Sequence, residues 1–231
     1  MTMKTSDQGI AFLAAHEGVV PGPYLDSVGV WTYGVGHTAA AGAPVPSKMA
    51  RGMPADLDAG IAEAFRVLRA DLPKYEAAVN RVLAGRTVPQ HQFDAAVSFH
   101  YNTGAIGRAN WVKLWLDGKA GAAAMSMVQN WRTPAEIKER REAEGNLLAS
   151  GSYGSKKAAV WPVGENGRIT WRPIRTLSQA QILAFMGSPV LPDAKPGATA
   201  PAVSEKATGK LTIPAVLAAI LAAIAAVIWK G

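Results

Sequence analysis

Residues 9–37, with the sequence GIAFLAAHEGVVPGPYLDSVGVWTYGVGH, decide the fold because their pattern changes within one short segment. The first part places apolar residues at helical spacing, and it predicts a helix over residues 5–18 that Thr5 and Gln8 cap. Pro21-Gly22-Pro23 then breaks this helix. Aromatic and β-branched residues separated by glycines follow, which is typical of a β-hairpin. The segment therefore predicts an α+β arrangement of helix, turn and hairpin.

Glu17 lies on the apolar face of this predicted helix. It follows Ile10, Leu13 and Ala14 by seven, four and three residues, so the four side chains share one side. In the last turn, with Gly18 as the C-cap, its carboxyl group meets both burial and the negative end of the helix dipole. Both effects favour the protonated form, which a general acid for glycoside cleavage requires. From position alone, an ordinary glutamate at a frayed helix end remains the better interpretation.

Asp26 and Thr32 share a face of the predicted hairpin only if its loop has three residues. A loop over residues 27–29 places all even-numbered side chains on one side. A two-residue loop would put Asp26 opposite Trp31 and turn Thr32 away. With the longer loop, Asp26 can orient a water molecule that Thr32 holds. An aspartate in a turn and a threonine in a strand are also common in purely structural hairpins, and the residues alone leave both interpretations open.

The spacing of these residues resembles the amino-terminal signature of the phage-type lysozymes, glycoside hydrolase family twenty-four, many of which are phage endolysins. That signature has a glutamate, an aspartate nine residues later, a threonine six residues further, and then G-x-G-H. The chain matches it without a gap at Glu17, Asp26, Thr32 and residues 34–37. Weaker similarities cover residues 92–99 with Asn102 and Gly104, and Arg140-Arg141 with Glu144.

The resemblance implies a mostly helical α+β fold with two lobes, a small one that holds the hairpin and a larger helical one. It implies that Glu17 protonates the glycosidic oxygen while Asp26 and Thr32 position the attacking water, with inversion at the sugar carbon. The implied substrate is the β-1,4 bond between N-acetylmuramic acid and N-acetylglucosamine in bacterial peptidoglycan. The resemblance implies no cofactor and no metal.

Four further residues are candidates for contact with the sugar chain. Tyr101 and Asn102 carry planar and amide side chains that suit N-acetyl sugars, although Tyr101 fits core packing equally well. His37 is more typical of a structural hydrogen bond to a carboxylate. Either Arg140 or Arg141 can pair with Glu17 across the cleft, with a solvated helix face as the alternative, and Arg141 is our candidate for the substrate site.

Apolar periodicity and capping residues predict the remaining secondary structure. Five helices are expected, over residues 56–70, 89–101, 120–131, 133–148 and 178–186. A second hairpin is expected over residues 160–172, with its turn at Glu165-Asn166-Gly167.

Composition divides the chain into three parts. Residues 1–187 mix apolar periodicity with charge and are the predicted catalytic domain. Residues 188–210 are rich in Pro, Ala, Gly, Ser and Thr, which is typical of a flexible linker. Residues 211–229 contain no charge and would form a helix of roughly 28 Å, close to the thickness of a bilayer core. We therefore predict a transmembrane helix in the inner membrane, with a terminal helix packed on the domain as the alternative.

Charge and composition narrow the partners and the compartment. A net charge of +7 favours polyanions such as cell-wall polymers, but no motif for nucleic acid accompanies it, so none is expected as a partner. The chain has no cysteine, which excludes disulfides and Cys-ligated metals. No signal peptide is visible at the amino end. We expect the host cytoplasm or cytoplasmic membrane before lysis, release by a separate holin, and action on the wall in the periplasm.

Two alternatives to a lysozyme stay open. A lytic transglycosylase needs the acid but no aspartate to position water. A membrane-anchored wall-binding protein without activity needs neither, and the spacing of Glu17, Asp26 and Thr32 argues against it.

Overall fold

The computed structural model describes residues 2–187. The predicted linker 188–210 and the predicted transmembrane helix 211–229 lie outside these described residues. Within residues 2–187, no helix combines the length and the apolar character needed to cross a membrane.

Helices dominate the described part of the chain, and two small antiparallel sheets accompany them. The helices are α1 Asp7–Glu17, α2 Leu57–Leu83, α3 Gln90–Thr103, α4 Trp111–Leu116, α5 Ala120–Asn130, α6 Lys138–Ser150 and α7 Gln179–Phe185. The first sheet contains β1 Val20–Leu25, β2 Trp31–Gly34 and β3 His37–Thr38 in that order, and the second pairs β4 Ala158–Val160 with β5 Arg175–Leu177. The mostly helical α+β class is confirmed.

Helix α1 begins one residue later than the cap at Thr5 predicted. Ser6 is the N-cap, and its hydroxyl accepts the backbone N–H of Gly9 at 3.0 Å. Asp94 of α3 explains this choice, because its carboxylate accepts both the backbone N–H and the hydroxyl of Ser6. At the other end Gly18 closes the helix with φ +75°, a conformation that favours glycine. The predicted end of the helix is therefore confirmed, while a tertiary contact sets its start.

Helix α2 runs much further than the predicted range 56–70 and continues through Pro73. Proline removes one backbone N–H, which usually ends or kinks a helix. Here the residues beyond it, among them Val79 and Leu83, are buried on the core side and keep the helix in place. Because α2 contacts both the first sheet and α3, it connects the hairpin region to the helical part.

The other predicted helices are confirmed within a few residues at their ends. The helix expected after Thr133 starts instead as a short 3-10 turn, Ala135–Ile137, and continues as α6. Ser178 makes the capping box that opens α7.

Two hydrophobic clusters form the core. The larger one fills the space between the helices and includes the β2 residue Tyr33. The smaller one, which we call the small-lobe cluster, consists of Val20, Tyr24, Trp161 and Val163. It joins the first hairpin, residues 20–34, to the second hairpin, residues 158–177.

The second hairpin forms as expected and extends beyond the predicted 160–172. Its base is the β4–β5 pair, and Val163 pairs with Ile169 further along. The turn closes where Gly167 donates its N–H to the carbonyl of Gly164 at 2.9 Å.

Candidate active site

The loop of the first hairpin has three residues, as the hypothesis required. Leu25 pairs with Trp31, and the backbone N–H of Asp26 donates to the carbonyl of Val30 at 3.0 Å. Residues 27–29 therefore form the loop, and Tyr24 pairs with Thr32. Because side chains alternate along a strand, Tyr24, Asp26 and Thr32 belong to one face of the hairpin.

Asp26 stabilises this loop with one of its two carboxylate oxygens. Its Oδ1 accepts the backbone N–H groups of Val28 at 2.9 Å and of Val30 at 2.8 Å. These bonds fix the carboxylate relative to the hairpin and leave Oδ2 without a hydrogen bond to residues 2–187. The buried Thr32 hydroxyl donates to the carbonyl of Val30 at 3.2 Å, so its remaining hydrogen-bonding capacity is as an acceptor.

Glu17 is the last residue of α1, and its side chain is only 7% exposed. Arg140 of α6 donates from Nη1 to Glu17 Oε1 at 2.5 Å. The same guanidinium donates from Nε to Glu144 at 2.9 Å and from Nη2 to the carbonyl of Ser98 at 3.2 Å. Arg140 is thus held from α3 and α6 in a fixed position beside the glutamate.

Arg140 remains positively charged in spite of its burial. Burial alone would lower the pKa of Arg140, but the negative charges of Glu17 and Glu144 outweigh this effect and raise it. Arg140 therefore brings a permanent positive charge to Glu17. The helix position of Glu17 does not reveal this charge, because Arg140 lies 123 residues further along the chain.

Arg141 lies behind this pair and not in a cleft. Its side chain is buried and donates to Glu144, to Asn102 Oδ1 at 2.6 Å, and to the carbonyl of Trp131 at 3.1 Å. Complete burial leaves Arg141 no surface with which to contact a sugar. Of the two arginines considered from the sequence, the structure pairs Arg140 with Glu17.

The other three substrate candidates are also buried. His37 is held between Asp71 Oδ2 at 2.8 Å and the carbonyl of Pro44 at 2.7 Å, which is the structural role that the sequence favoured for it. The Tyr101 hydroxyl donates to the carbonyl of Val35. Asn102 differs from these two, because its Nδ2 is buried without a hydrogen-bond partner.

Tyr24 is buried on the same hairpin face as Asp26 and Thr32. Burial raises the pKa of Tyr24, and the negative charges of Glu17 and Asp26 raise it further. The sequence analysis missed Tyr24, although the three-residue loop that it considered puts this residue on the face of Asp26 and Thr32.

His16, next to Glu17, adds no positive charge to the site at neutral pH. Burial lowers its pKa well below the usual value, and the charges of Arg140 and Lys156 lower it further. Among residues 2–187, no group of three or more His, Asp or Glu side chains is arranged to hold a metal ion.

Comparisons with known proteins place the chain in a family. The profile of the phage lysozyme family matches residues 14–144, which include Glu17, Asp26 and Thr32 as well as Arg140. No curated protein matches the chain at a significant level.

Three solved structures are similar to the chain. An endolysin from the Escherichia coli O157:H7 phage FAHEc1 has 29% identity and a TM-score of 0.56, over 67% of this chain and 98% of the endolysin. A P22 lysozyme mutant has 27% identity and a TM-score of 0.53, over 64% and 99%. The muramidase domain of SpmX from Asticaccaulis excentricus has 26% identity and a TM-score of 0.52, over 64% and 98%.

These relatives are matched over nearly their whole length, so the part of this chain beyond the match is additional to them. Because the family profile covers more than half of the chain and includes the hairpin with its preceding glutamate, the chain belongs to the phage lysozyme family and is a lysozyme-type hydrolase.

Proposed function

We propose that this lysozyme hydrolyses the β-1,4 bond between N-acetylmuramic acid and N-acetylglucosamine in bacterial peptidoglycan, with Glu17 as the general acid. One observation carries the proposal. The buried Glu17 ends α1 directly before β1, and the hairpin that β1 opens presents Asp26 and Thr32 on one face. An acid and a water-binding pair in one site are the groups that an inverting glycosidase needs.

In this mechanism Asp26 and Thr32 hold the attacking water. The Thr32 hydroxyl gives its hydrogen to Val30, so it accepts one hydrogen of the water. Asp26 accepts the other hydrogen through Oδ2, because Oδ1 is occupied by two backbone N–H groups. The water oxygen then attacks the anomeric carbon, Asp26 receives its proton, and Glu17 protonates the departing oxygen.

Asn102 does not offer a donor to the substrate, because its unpartnered Nδ2 is buried away from the surface. His37, Tyr101 and Arg141 have their polar atoms engaged with protein groups, and we assign them supporting roles.

A clearing assay on purified peptidoglycan tests the activity. Wild type should reduce turbidity and release new reducing ends, and Glu17→Gln should do neither while it still folds. Anhydro-sugar ends in place of reducing ends would identify a lytic transglycosylase. Sedimentation with peptidoglycan without any loss of turbidity would identify a wall-binding protein.

We also propose that the enzyme serves host cell lysis, with residues 211–229 as a helix in the inner membrane. The absence of charge over these residues supports the proposal. The enzyme would reside in the host cytoplasm or at its membrane, and a separate holin would let it reach the wall in the periplasm. Deletion of residues 211–231 should move the protein from the membrane fraction to the soluble fraction and alter the time of lysis. Unchanged fractionation and timing would refute this role.

A further inference from the structure

The second hairpin, residues 158–177, lies beyond the residues that match the lysozyme family profile. It packs against both parts of the proposed site, the end of α1 and the first hairpin. Each of the two contacts combines backbone hydrogen bonding with a glycine that lies against a tryptophan ring.

The first contact ties the chain directly after Glu17 to β4. The N–H of Val19 donates to the carbonyl of Ala159 at 2.8 Å, and the N–H of Trp161 donates to the carbonyl of Val19 at 2.9 Å. Gly18 lies directly against the Trp161 indole, and a Cβ at this position would be 2.7 Å from Nε1. The backbone next to Glu17 is therefore hydrogen-bonded to the second hairpin and cannot shift without moving that hairpin.

The second contact holds the first hairpin next to Asp26. The N–H of Leu25 donates to the carbonyl of Gly167 at 2.8 Å. Gly167 has φ +74° and lies against the ring of Trp31, the residue paired with Leu25. A Cβ on Gly167 would be 2.6 Å from Cη2 of Trp31, so only glycine permits this approach.

The small-lobe cluster fills the space between these two contacts. Val20 and Tyr24 come from β1, while Trp161 and Val163 come from the second hairpin. Tyr24 pairs with Thr32 and shares the hairpin face of Asp26. Short hairpins are only marginally stable by themselves, so packing of this kind is needed to fix the position of the first hairpin.

We infer that the second hairpin is a positioning element that fixes the separation between Glu17 and the Asp26–Thr32 pair. This inference rests on the proposed function, because separation matters only if these groups act together on one bond. An inverting glycosidase needs a gap that admits one water, and a displacement of about 1 Å can reduce the rate by about 100-fold. Gly167 and Val163 act through Asp26 and Tyr24 and are positioning residues.

The test uses the full-length protein with Gly167→Ala, which introduces a methyl group between the two hairpins. We expect kcat on purified peptidoglycan to fall by about 10- to 100-fold with KM nearly unchanged, because substrate still binds while the reacting groups are displaced. The limbs of the pH–rate profile should also move, since they report a coupled acid and base. Loss of folded protein alone would lower the rate without moving these limbs.

Gly154→Ala is the matched control. Gly154 also has positive φ, +65°, but an added Cβ meets nothing within 4 Å. It therefore introduces the same kind of backbone strain without a clash, and its kcat and pH profile should equal those of wild type. Amide exchange at Leu25 should accelerate in Gly167→Ala and not in Gly154→Ala.

A second pair of variants covers the case in which Gly167→Ala fails to fold. Val163→Ala truncates the small-lobe cluster, and Val79→Ala makes the same truncation of a buried valine in the larger core. We expect kcat to fall at least about threefold in Val163→Ala relative to Val79→Ala, at temperatures where both are folded.

The outcomes of these experiments distinguish the proposed function from the positioning role of the second hairpin. An inactive wild type, or a Glu17→Gln variant as active as wild type, would overturn the proposed function. An active wild type and an inactive Glu17→Gln, with both positioning variants equal to their controls in kcat and pH profile, would overturn only the positioning role.

Discussion

Arg140 donates to the carboxylate of Glu17 at 2.5 Å, although 123 residues separate them in the chain. This ion pair joins α6 to the end of α1, and both side chains are buried. Glu144, which shares the guanidinium, is completely buried and also accepts from Arg141. Two positive and two negative charges are therefore balanced inside the protein, in a place where an unpaired charge would be strongly unfavourable.

Removing Arg140 should destabilise the whole domain. Arg140→Gln leaves Glu17 without a cation and Glu144 with one fewer, and breaking a buried pair of this kind costs about 3–5 kcal/mol. Urea unfolding followed by circular dichroism measures the change. Arg66→Gln is the control, because the Arg66–Glu63 pair is exposed to solvent and should contribute little to stability. Equal losses of unfolding free energy in the two variants would show that the buried network stabilises the domain no more than an exposed ion pair does.

Asp26→Asn should separate the chemistry of this residue from its structural role. The amide oxygen can still accept the N–H groups of Val28 and Val30, so the hairpin and the melting temperature should be preserved. The variant loses the proton acceptor, and kcat should fall by about 100- to 10,000-fold. Asp56→Asn is the matched control, since Asp56 accepts two backbone N–H groups in the same way at the start of α2 and has no part in the proposed mechanism. Near wild-type activity of Asp26→Asn would exclude a role as base.

Thr32→Val should lower activity with little change in stability. The buried hydroxyl is replaced by a methyl group, and the carbonyl of Val30 keeps the backbone N–H of Asp26 as a donor. We therefore expect a change in unfolding free energy below about 1.5 kcal/mol. Turbidity assays should show a fall in kcat that Thr32→Ser largely restores, because serine keeps the hydroxyl. A serine variant as inactive as the valine variant would contradict water binding by this hydroxyl.

The domain should lose stability on acidification between about pH 6.5 and 4. Burial lowers the pKa of His100 to about 4 from 6.5, and it also lowers that of His16. The unfolded chain therefore binds more protons in this window, and stability falls as the pH decreases through it. His100→Gln should flatten the dependence, measured as urea unfolding midpoints against pH. Above pH 7, where both histidines are neutral, the unfolding midpoints of His100→Gln and wild type should depend on pH in the same way. If His100→Gln kept the wild-type slope below pH 6, the assignment of this pH dependence to His100 would be contradicted.

Local patterns predicted much of the fold, and the failures have a common physical cause. The end of α1 at Gly18 and the turn of the second hairpin depend on glycine conformations, which are local properties. The start of α1 at Ser6 depends on Asp94, and the length of α2 beyond Pro73 depends on burial of its far end. These features follow from tertiary contacts, which periodicity and capping rules do not include.

The candidate site also combines features that local sequence patterns predict with features that only tertiary contacts determine. The spacing from Glu17 to Thr32 left the loop length open, but it predicted that a three-residue loop would give the shared face, because side-chain alternation is a local rule. It did not distinguish Arg140 from Arg141, since adjacent helix residues point in different directions and only packing decides which one meets Glu17. The contact between Gly167 and Leu25 joins distant segments and had no signal in the sequence.

Arg140 makes the two oxygens of the Glu17 carboxyl group unequal. Oε1 accepts the guanidinium N–H, so a proton on this group resides on Oε2. In the mechanism that we propose, the leaving oxygen therefore approaches Glu17 from the side of Oε2. Arg140 would then constrain the orientation of the sugar chain through Glu17.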